Sequence, residues 1–286
     1  METAAKTPPG NGRCGASFIK NMQQLNLLND KSGKKYRPVI SANENEKGVL
    51  DVDSVKGCSD GMGRYGDRGC YGECYARKIA ARYGTSFQSV SRELTPKASK
   101  AVFIAVQDFK ASWYRIGTAG DPSYDWELTV RVCEYLKPTG KIPVIITKHW
   151  SELGAQLAFR LAECRAVVNT SISALDSDSD RQWRLDQFLA MRSFGIKSVL
   201  RVVTCEFGDT SEGNRMRAVQ GLLLSYSPVI DNPLRATKEN PLVLNGTVLL
   251  KRREDAVGGG KLVSLHDERV YLGRCDRCPD QCGVTM

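Results

Sequence analysis

Between residues 48 and 234 the chain alternates short apolar runs, rich in Val and Ile, with longer segments of helical periodicity, and this rhythm restricts its fold more than any other feature. The strand candidates cover 48–55, 112–117, 141–148, 166–173, 197–206 and 227–234. KIPVIITK is continuously apolar at its centre, as a strand covered on both faces must be. Between these runs lie segments with apolar residues three and four apart. They are GECYARKIAARYG (closing on Gly84), ASKAVFIAVQDFK, WELTVRVCEYLK, SELGAQLAFRLAEC, DRQWRLDQFLAMRSFG (ending at Gly195) and GNRMRAVQGLLLS. Ser151 is the expected N-cap of the fourth. Strands and helices in this alternation join as parallel βαβ units with helices covering the sheet. The expected fold class is α/β. Six units are too few to close an eight-unit barrel, so an open, partial (β/α)6 barrel is predicted, with an open doubly wound sheet as the alternative.

Three regions follow from this pattern. Residues 1–45 are polar, with one short helix expected at SFIKNMQQLNLLN, and read as an N-terminal extension packed on the main domain. Residues 46–235 form the barrel-like domain. Residues 236–286 turn irregular, with a hairpin expected around VLLKRREDAVGGGKLVSL and then a cysteine-rich tail. A chain of 286 residues, 41% hydrophobic and 26% charged, buries a core without needing disulfides. No apolar run approaches the roughly 18 residues that span a bilayer, so no membrane partner is expected. METAAKTPPGNGRCG lacks the apolar stretch of a secretory signal. The expected location is the cytoplasm.

In a reducing compartment, clustered cysteines bind metal or act in catalysis more often than they form disulfides. Of the ten cysteines, Cys14, Cys133, Cys164 and Cys205 are scattered. Cys133 and Cys164 sit in apolar-periodic segments and read as small hydrophobes. The first group is Cys58-x11-Cys70-x3-Cys74, after the first strand and running into the first helix. Its loop holds Gly57, Gly61, Gly63, Gly66, Gly69 and Gly72, a density that lets backbone bend closely around a bulky ligand. Three thiolates from such a loop suit three irons of a 4Fe–4S cluster, with the fourth iron open. Zinc is the competing metal, although a structural zinc site wants four ligands. Unliganded thiols are the plain reading. The second group is Cys275-x2-Cys278-x3-Cys282, a metal signal that suits either a second 4Fe–4S cluster or a zinc knot. Its fourth ligand would come from Cys14, Cys205, Asp280 or His266.

Parallel α/β sheets place ligands at the C-terminal ends of their strands. There the sequence offers residues 58–74, 117–123, His149 and Trp150, 171–176 and 205–209. DSDSD (176–180) reads as the acidic start of a helix before it reads as a metal site. The net charge of +9 fits an anionic partner such as nucleic acid. The only compact basic run, KRRED (251–255), ends in two acids, and a solvated basic surface is the plainer account.

With its cysteine loop after the first strand and GTAGDPS (117–123) after the second, the chain resembles the radical S-adenosylmethionine (SAM) superfamily. Gly120, Asp121 and Pro122 are similar to that family's Gly-Gly-Glu-Pro motif, with Asp for Glu. The common family spacing is Cys-x3-Cys-x2-Cys with an aromatic before the last cysteine; here the spacing is longer and Glu73 precedes Cys74. The resemblance implies a partial barrel of the TIM type. It further implies a SAM-binding 4Fe–4S cluster on Cys58, Cys70 and Cys74, and contacts to the methionyl group from Gly117, Thr118, Gly120, Asp121 and Pro122. Asn169, Ser171 and Ser173 would face the ribose or carboxylate of SAM, with Arg201 assisting; ordinary sheet hydrogen bonding is their plain reading. Cys205 becomes a candidate hydrogen-atom donor, against a buried thiol. An electron donor such as a flavodoxin or ferredoxin would reduce the cluster. Reductive cleavage of SAM would then start radical chemistry on a substrate that no motif identifies, with nucleic acid or a nucleotide suggested by the charge. The rivals are a metal-stapled nucleic-acid-binding module and a redox or electron-transfer protein without SAM chemistry.

Overall fold

The computed structural model describes residues 38–60, 70–72 and 74–286. The helix expected at SFIKNMQQLNLLN lies outside them. The first elements are β1 (Ala42–Glu44), β2 (Leu50–Val52), β3 (Val55–Lys56), α1 (Tyr75–Arg82), β4 (Val90–Ser91) and α2 (Pro96–Asp108). There follow β5 (Trp113–Ile116), α3 (Trp126–Leu136), β6 (Ile142–Thr147), α4 (Ala155–Glu163), β7 (Val167–Ile172), α5 (Asp178–Ser193) and β8 (Lys197–Thr204). The chain continues through β9 (Glu206–Phe207), α6 (Ser211–Leu224), β10 (Val229–Pro233) and α7 (Pro241–Leu244). It closes with β11 (Val248–Leu249), β12 (Lys251–Arg253) and β13 (Lys261–Val263).

The centre is a seven-stranded sheet in the order β1-β2-β5-β6-β7-β8-β10. β2 and the five strands after it run parallel, while β1 is an antiparallel edge with Ala42 opposite Val52. Residues 42–44, within the expected N-terminal extension, thus form an edge strand of the main sheet. The parallel strands lie side by side in chain order. A doubly wound sheet reverses its order at a switch point, and this one does not.

Alternation gives each strand two faces. On one face Val52, Tyr114, Ile116, Ile145 and Val168 pack against Val106 of α2, Leu136 of α3, Leu161 of α4 and Met191 of α5. Cys133 and Cys164 are buried in this same core, as the periodicity predicts. On the other face, Val49, Trp113, Val144, Val167, Val199 and Ile230 form a second cluster with Cys282. The C-terminal tail therefore lies against the sheet itself. The last two positions of the strand expected over 197–206 differ. The main sheet releases the chain after Thr204, and β9 pairs with β11 instead. The expected hairpin forms as β12 against β13.

Caps follow the sequence with one exception. Thr95 accepts the Ala98 N–H ahead of Pro96 in α2, and Ser177 accepts the Asp180 N–H at the start of α5. Ser151 caps nothing. α4 begins after Gly154, and the Ser151 hydroxyl instead donates to the Ser123 carbonyl, tying the loop after β6 to the loop after β5. Among the described residues, no helix is long and apolar enough to cross a membrane.

A cysteine loop at the strand ends

Two loops meet where the first parallel strands end. The Gly57 N–H donates to the Ala119 carbonyl (2.9 Å), and the Asp121 N–H donates to the Gly57 carbonyl (3.4 Å). This zips the backbone beside Cys58 to the GTAGDP segment. Gly120 is required at the seam, because a Cβ there would stand 2.6 Å from the carbonyl oxygens of Gly57 and Val55. Gly120→Ala is expected to cost about 1–3 kcal/mol, as overpacking does, and to lower the thermal midpoint. An unchanged midpoint would contradict the close pairing.

Two carboxylates hold the second loop in shape. Asp53 accepts the N–H groups of Gly117, Thr118 and Ala119 at 2.7–2.9 Å. Burial and the nearby Asp51 push its pKa up, against the pull of those amides. Asp121 accepts from the Ser123 N–H and hydroxyl, the Thr147 hydroxyl (2.6 Å) and the Lys148 N–H (2.8 Å). Asp121, expected to contact the methionyl group, is a hub joining the loops after β5 and β6. Pro122 begins the short 3-10 turn that Asp121 caps.

Residues 70–72 all have left-handed backbone, with φ of 47°, 61° and 75°. For Cys70 and Tyr71 this conformation is held from outside. The Tyr71 hydroxyl donates to Asp176 (2.7 Å) and accepts from the Lys148 ammonium (2.9 Å), and Asn240 donates to the Tyr71 carbonyl (2.7 Å). Asp176 also pairs with Lys148 (3.3 Å) and the buried Arg184 (2.5 Å). Burial alone would raise the Asp176 pKa; Lys148 and Arg184 outweigh it and hold the carboxyl at about 2. The acidic run 176–180 thus does two jobs. Ser177, Asp178 and Asp180 start α5, while Asp176 fastens the cysteine loop.

This clamp sets Cys70 beside Cys74. A hydrogen bond from the Cys74 thiol, against burial and with help from Lys148, brings the Cys70 pKa down to about 6. The same contact and burial push Cys74 up, and Cys58 adds to the repulsion. Cys58 and Cys74 share a small apolar cluster with Ala76, Ala80, Phe87, Tyr124 and Trp150. Cys58 Sγ lies 3.7 Å from the Tyr124 hydroxyl, which accepts the Asp60 N–H. Among the described residues, no group of three or more His, Cys, Asp or Glu side chains is arranged to hold a metal ion. The donor chemistry nevertheless fits an iron–sulfur cluster. Cys70 and Cys74 are in hydrogen-bond contact, Cys58 shares an apolar cluster with Cys74, one thiol ionises readily, and aromatic side chains flank them.

The remaining expected ligands divide. Ser173 is buried and bonded internally, its N–H donating to Asp176 and its hydroxyl to the Val203 carbonyl, the sheet hydrogen bonding that was its plain reading. Asn169 is fully buried and its amide donates to the Cys282 carbonyl (2.9 Å), while its Oδ1 has no partner. Arg201 donates to Asn232 (2.6 Å) and lies 3.8 Å from Cys282 Sγ. Asn169 and Arg201 therefore face the tail. Ser171 is half-buried beside Arg201 in register. Cys205 is buried, its peptide clasped by the Gln220 amide, and burial pushes its thiol up. His149 is held neutral, its pKa brought to about 3 by burial, and its Nε2 meets Thr170. In the tail, Cys275 and Cys282 touch the cluster on the sheet's other face, and burial raises Cys278.

Sequence reasoning passed over Asp53 and Lys148; it held Tyr71 within its first strand-end segment without a role, and read Asp176 as part of a helix start. Parity along the strands carried part of the signal, since Asp51, Asp53, Arg115, Asn169 and Arg201 fall on one face. No family model matches the chain, and no curated protein matches it in sequence.

Proposed function

We propose that this chain is a radical SAM-type iron–sulfur enzyme built on a partial (β/α)6 barrel. The observation that supports the reading is the Cys70–Cys74 thiol contact, with Cys58 in an apolar cluster beside Cys74, next to the seam that pairs Gly57 with the loop of Ala119 and Asp121.

Cys58, Cys70 and Cys74 would hold the cluster, and Cys275, Cys278 and Cys282 a second metal centre. A reduced cluster of this type supplies the electron that splits SAM into methionine and a 5′-deoxyadenosyl radical. The chain's own groups orient and shield. Asp53 and Asp121 fix the 117–122 loop, so its carbonyl oxygens are the groups that would meet a methionyl ammonium. Tyr75, which donates to the Thr118 carbonyl, stands beside them. Lys148 supports the Cys70 thiolate, and Phe87, Tyr124 and Trp150 limit water. A flavodoxin- or ferredoxin-like reductant is the proposed partner.

Protein reconstituted anaerobically with iron and sulfide, then reduced with dithionite, is expected to convert SAM to 5′-deoxyadenosine and methionine. Bound iron with no cleavage would favour an electron-transfer protein. Two zincs and no chromophore would favour a metal-stapled module.

A further inference from the structure

Tyr124 meets the cysteine loop through its hydroxyl as well as through its ring. It lies on the 3-10 turn Pro122–Asp125, which is held from several sides. The Tyr124 N–H donates to the Asp121 carbonyl (3.3 Å), the Trp150 N–H to the Ser123 hydroxyl (2.9 Å), and the Ser91 hydroxyl to Asp125 (2.5 Å). The half-buried Tyr124 side chain is thus presented from a braced turn, and its ring packs on the apolar cluster of Cys58. Its hydroxyl accepts the Asp60 N–H at 2.5 Å and lies 3.7 Å from Cys58 Sγ, within reach of a hydrogen bond to sulfur.

Proton counting fixes the direction of the sulfur contact. A phenol carries one proton and accepts through its lone pairs. The Asp60 amide uses an acceptor site and leaves the proton for another partner. A cysteine that ligates iron is a thiolate and has no proton to give. In the loaded protein the contact is therefore O–H to sulfur, with Tyr124 as donor. Hydrogen bonds to cluster sulfurs are among the factors that set reduction potentials. One-electron reduction adds a negative charge that the cluster's sulfurs share. A donor at one of them holds the reduced form more tightly than the oxidised one, and the potential rises.

We propose that Tyr124 is a positioning residue acting through Cys58: its hydroxyl donates to the ligating sulfur and raises the reduction potential of the cluster. The electron passes from the reductant to the cluster, and the Tyr124 proton stays on its oxygen. The role rests on the cluster proposed above, but not on SAM cleavage.

The test is a redox titration of the full-length protein, reconstituted anaerobically and reduced stepwise with dithionite in the presence of mediators. The electron paramagnetic resonance signal followed is the one that Cys70→Ala removes. Tyr124→Phe deletes only the hydroxyl. It is expected to keep its iron and to lower the reduction constant about tenfold, a shift of about 59 mV to more negative potential for one electron. Replacing Tyr124 with 3-fluorotyrosine, a more acidic phenol and a stronger donor, is expected to move the potential the opposite way. Tyr135→Phe serves as the control and leaves the potential unchanged; this tyrosine is exposed on α3, with its ring edge-on to Phe103. A Tyr124→Phe protein that holds its iron at the wild-type potential would overturn the role. Iron lost from Tyr124→Phe would overturn it too, and would make the hydroxyl a brace for Asp60 alone. Shifts of one sign in both Tyr124 variants would likewise overturn it, as an effect of packing. A potential that follows Tyr124 without SAM cleavage would remove the proposed enzyme and leave this role standing. SAM cleavage at a potential indifferent to Tyr124 would remove this role alone.

Discussion

Cys70→Ala is expected to abolish SAM cleavage and to remove about four of about eight irons per chain after anaerobic reconstitution. The thiolate is the form that ligates iron, and Cys70 is the member of its group whose pKa is drawn down, to about 6, where it is mostly ionised at neutral pH. Removing it leaves Cys58 and the raised thiol of Cys74, too few donors to retain a cluster. The partner experiment is Cys278→Ala. It should lose iron from the tail alone and keep SAM binding, because Cys278 lies in the C-terminal turn that packs beneath the sheet. Iron counts and 5′-deoxyadenosine yields for the two variants decide the matter. Cleavage retained in Cys70→Ala would defeat the ligand assignment.

The largest loss of stability is expected from Asp176→Ala. Arg184 is 1% exposed and Asp176 3% exposed at the side chain, so deleting the carboxylate strands a buried guanidinium and the Lys148 ammonium. Breaking such a pair from one side costs about 3–5 kcal/mol. The Tyr71 hydroxyl also loses its acceptor, and with it the cysteine loop loses an anchor, so iron loading should fall together with stability. The same network sets a pH dependence. The folded Asp176 pKa is about 2, below its ordinary value of 3.8, so the unfolded chain binds the proton more readily between those values. The stabilisation, about 2 kcal/mol, is therefore complete above about pH 4 and disappears as pH falls towards 2. Urea midpoints for wild type and Asp176→Asn should differ widely at pH 7 and converge near pH 2. A gap that does not narrow with acid would show that Asp176 acts other than as a buried anion.

What the sequence made legible is local. Period and punctuation place the strand runs at 112–117, 141–148 and 166–173 within about a residue of β5, β6 and β7, because those runs are rich in β-branched and aromatic residues and are bounded by helical-period segments and turn residues. The long-range pairings were not legible. Asp176 looked like part of a helix start because its neighbours in sequence are, while its partners Lys148 and Tyr71 come from other loops. Asp121 looked like a ligand because it takes the place of Glu in the resemblance to the Gly-Gly-Glu-Pro motif, but donors that fill it lie one strand away, at Thr147 and Lys148. Ser151 had the right type for a cap, and tertiary contact with Ser123 took its hydroxyl first. The cysteine spacing named Cys70 and Cys74, whose thiols touch, and Cys58, which shares an apolar cluster with Cys74, while nothing in it foretold the Tyr71–Asp176–Lys148 clamp.

The most direct measurement is electron paramagnetic resonance of the anaerobically reconstituted, dithionite-reduced protein, recorded with and without SAM. The account predicts a reduced 4Fe–4S signal whose g-values shift on adding SAM, and which Cys70→Ala removes while Cys278→Ala preserves. A cluster signal unmoved by SAM, or no signal in a protein that carries zinc, would contradict it.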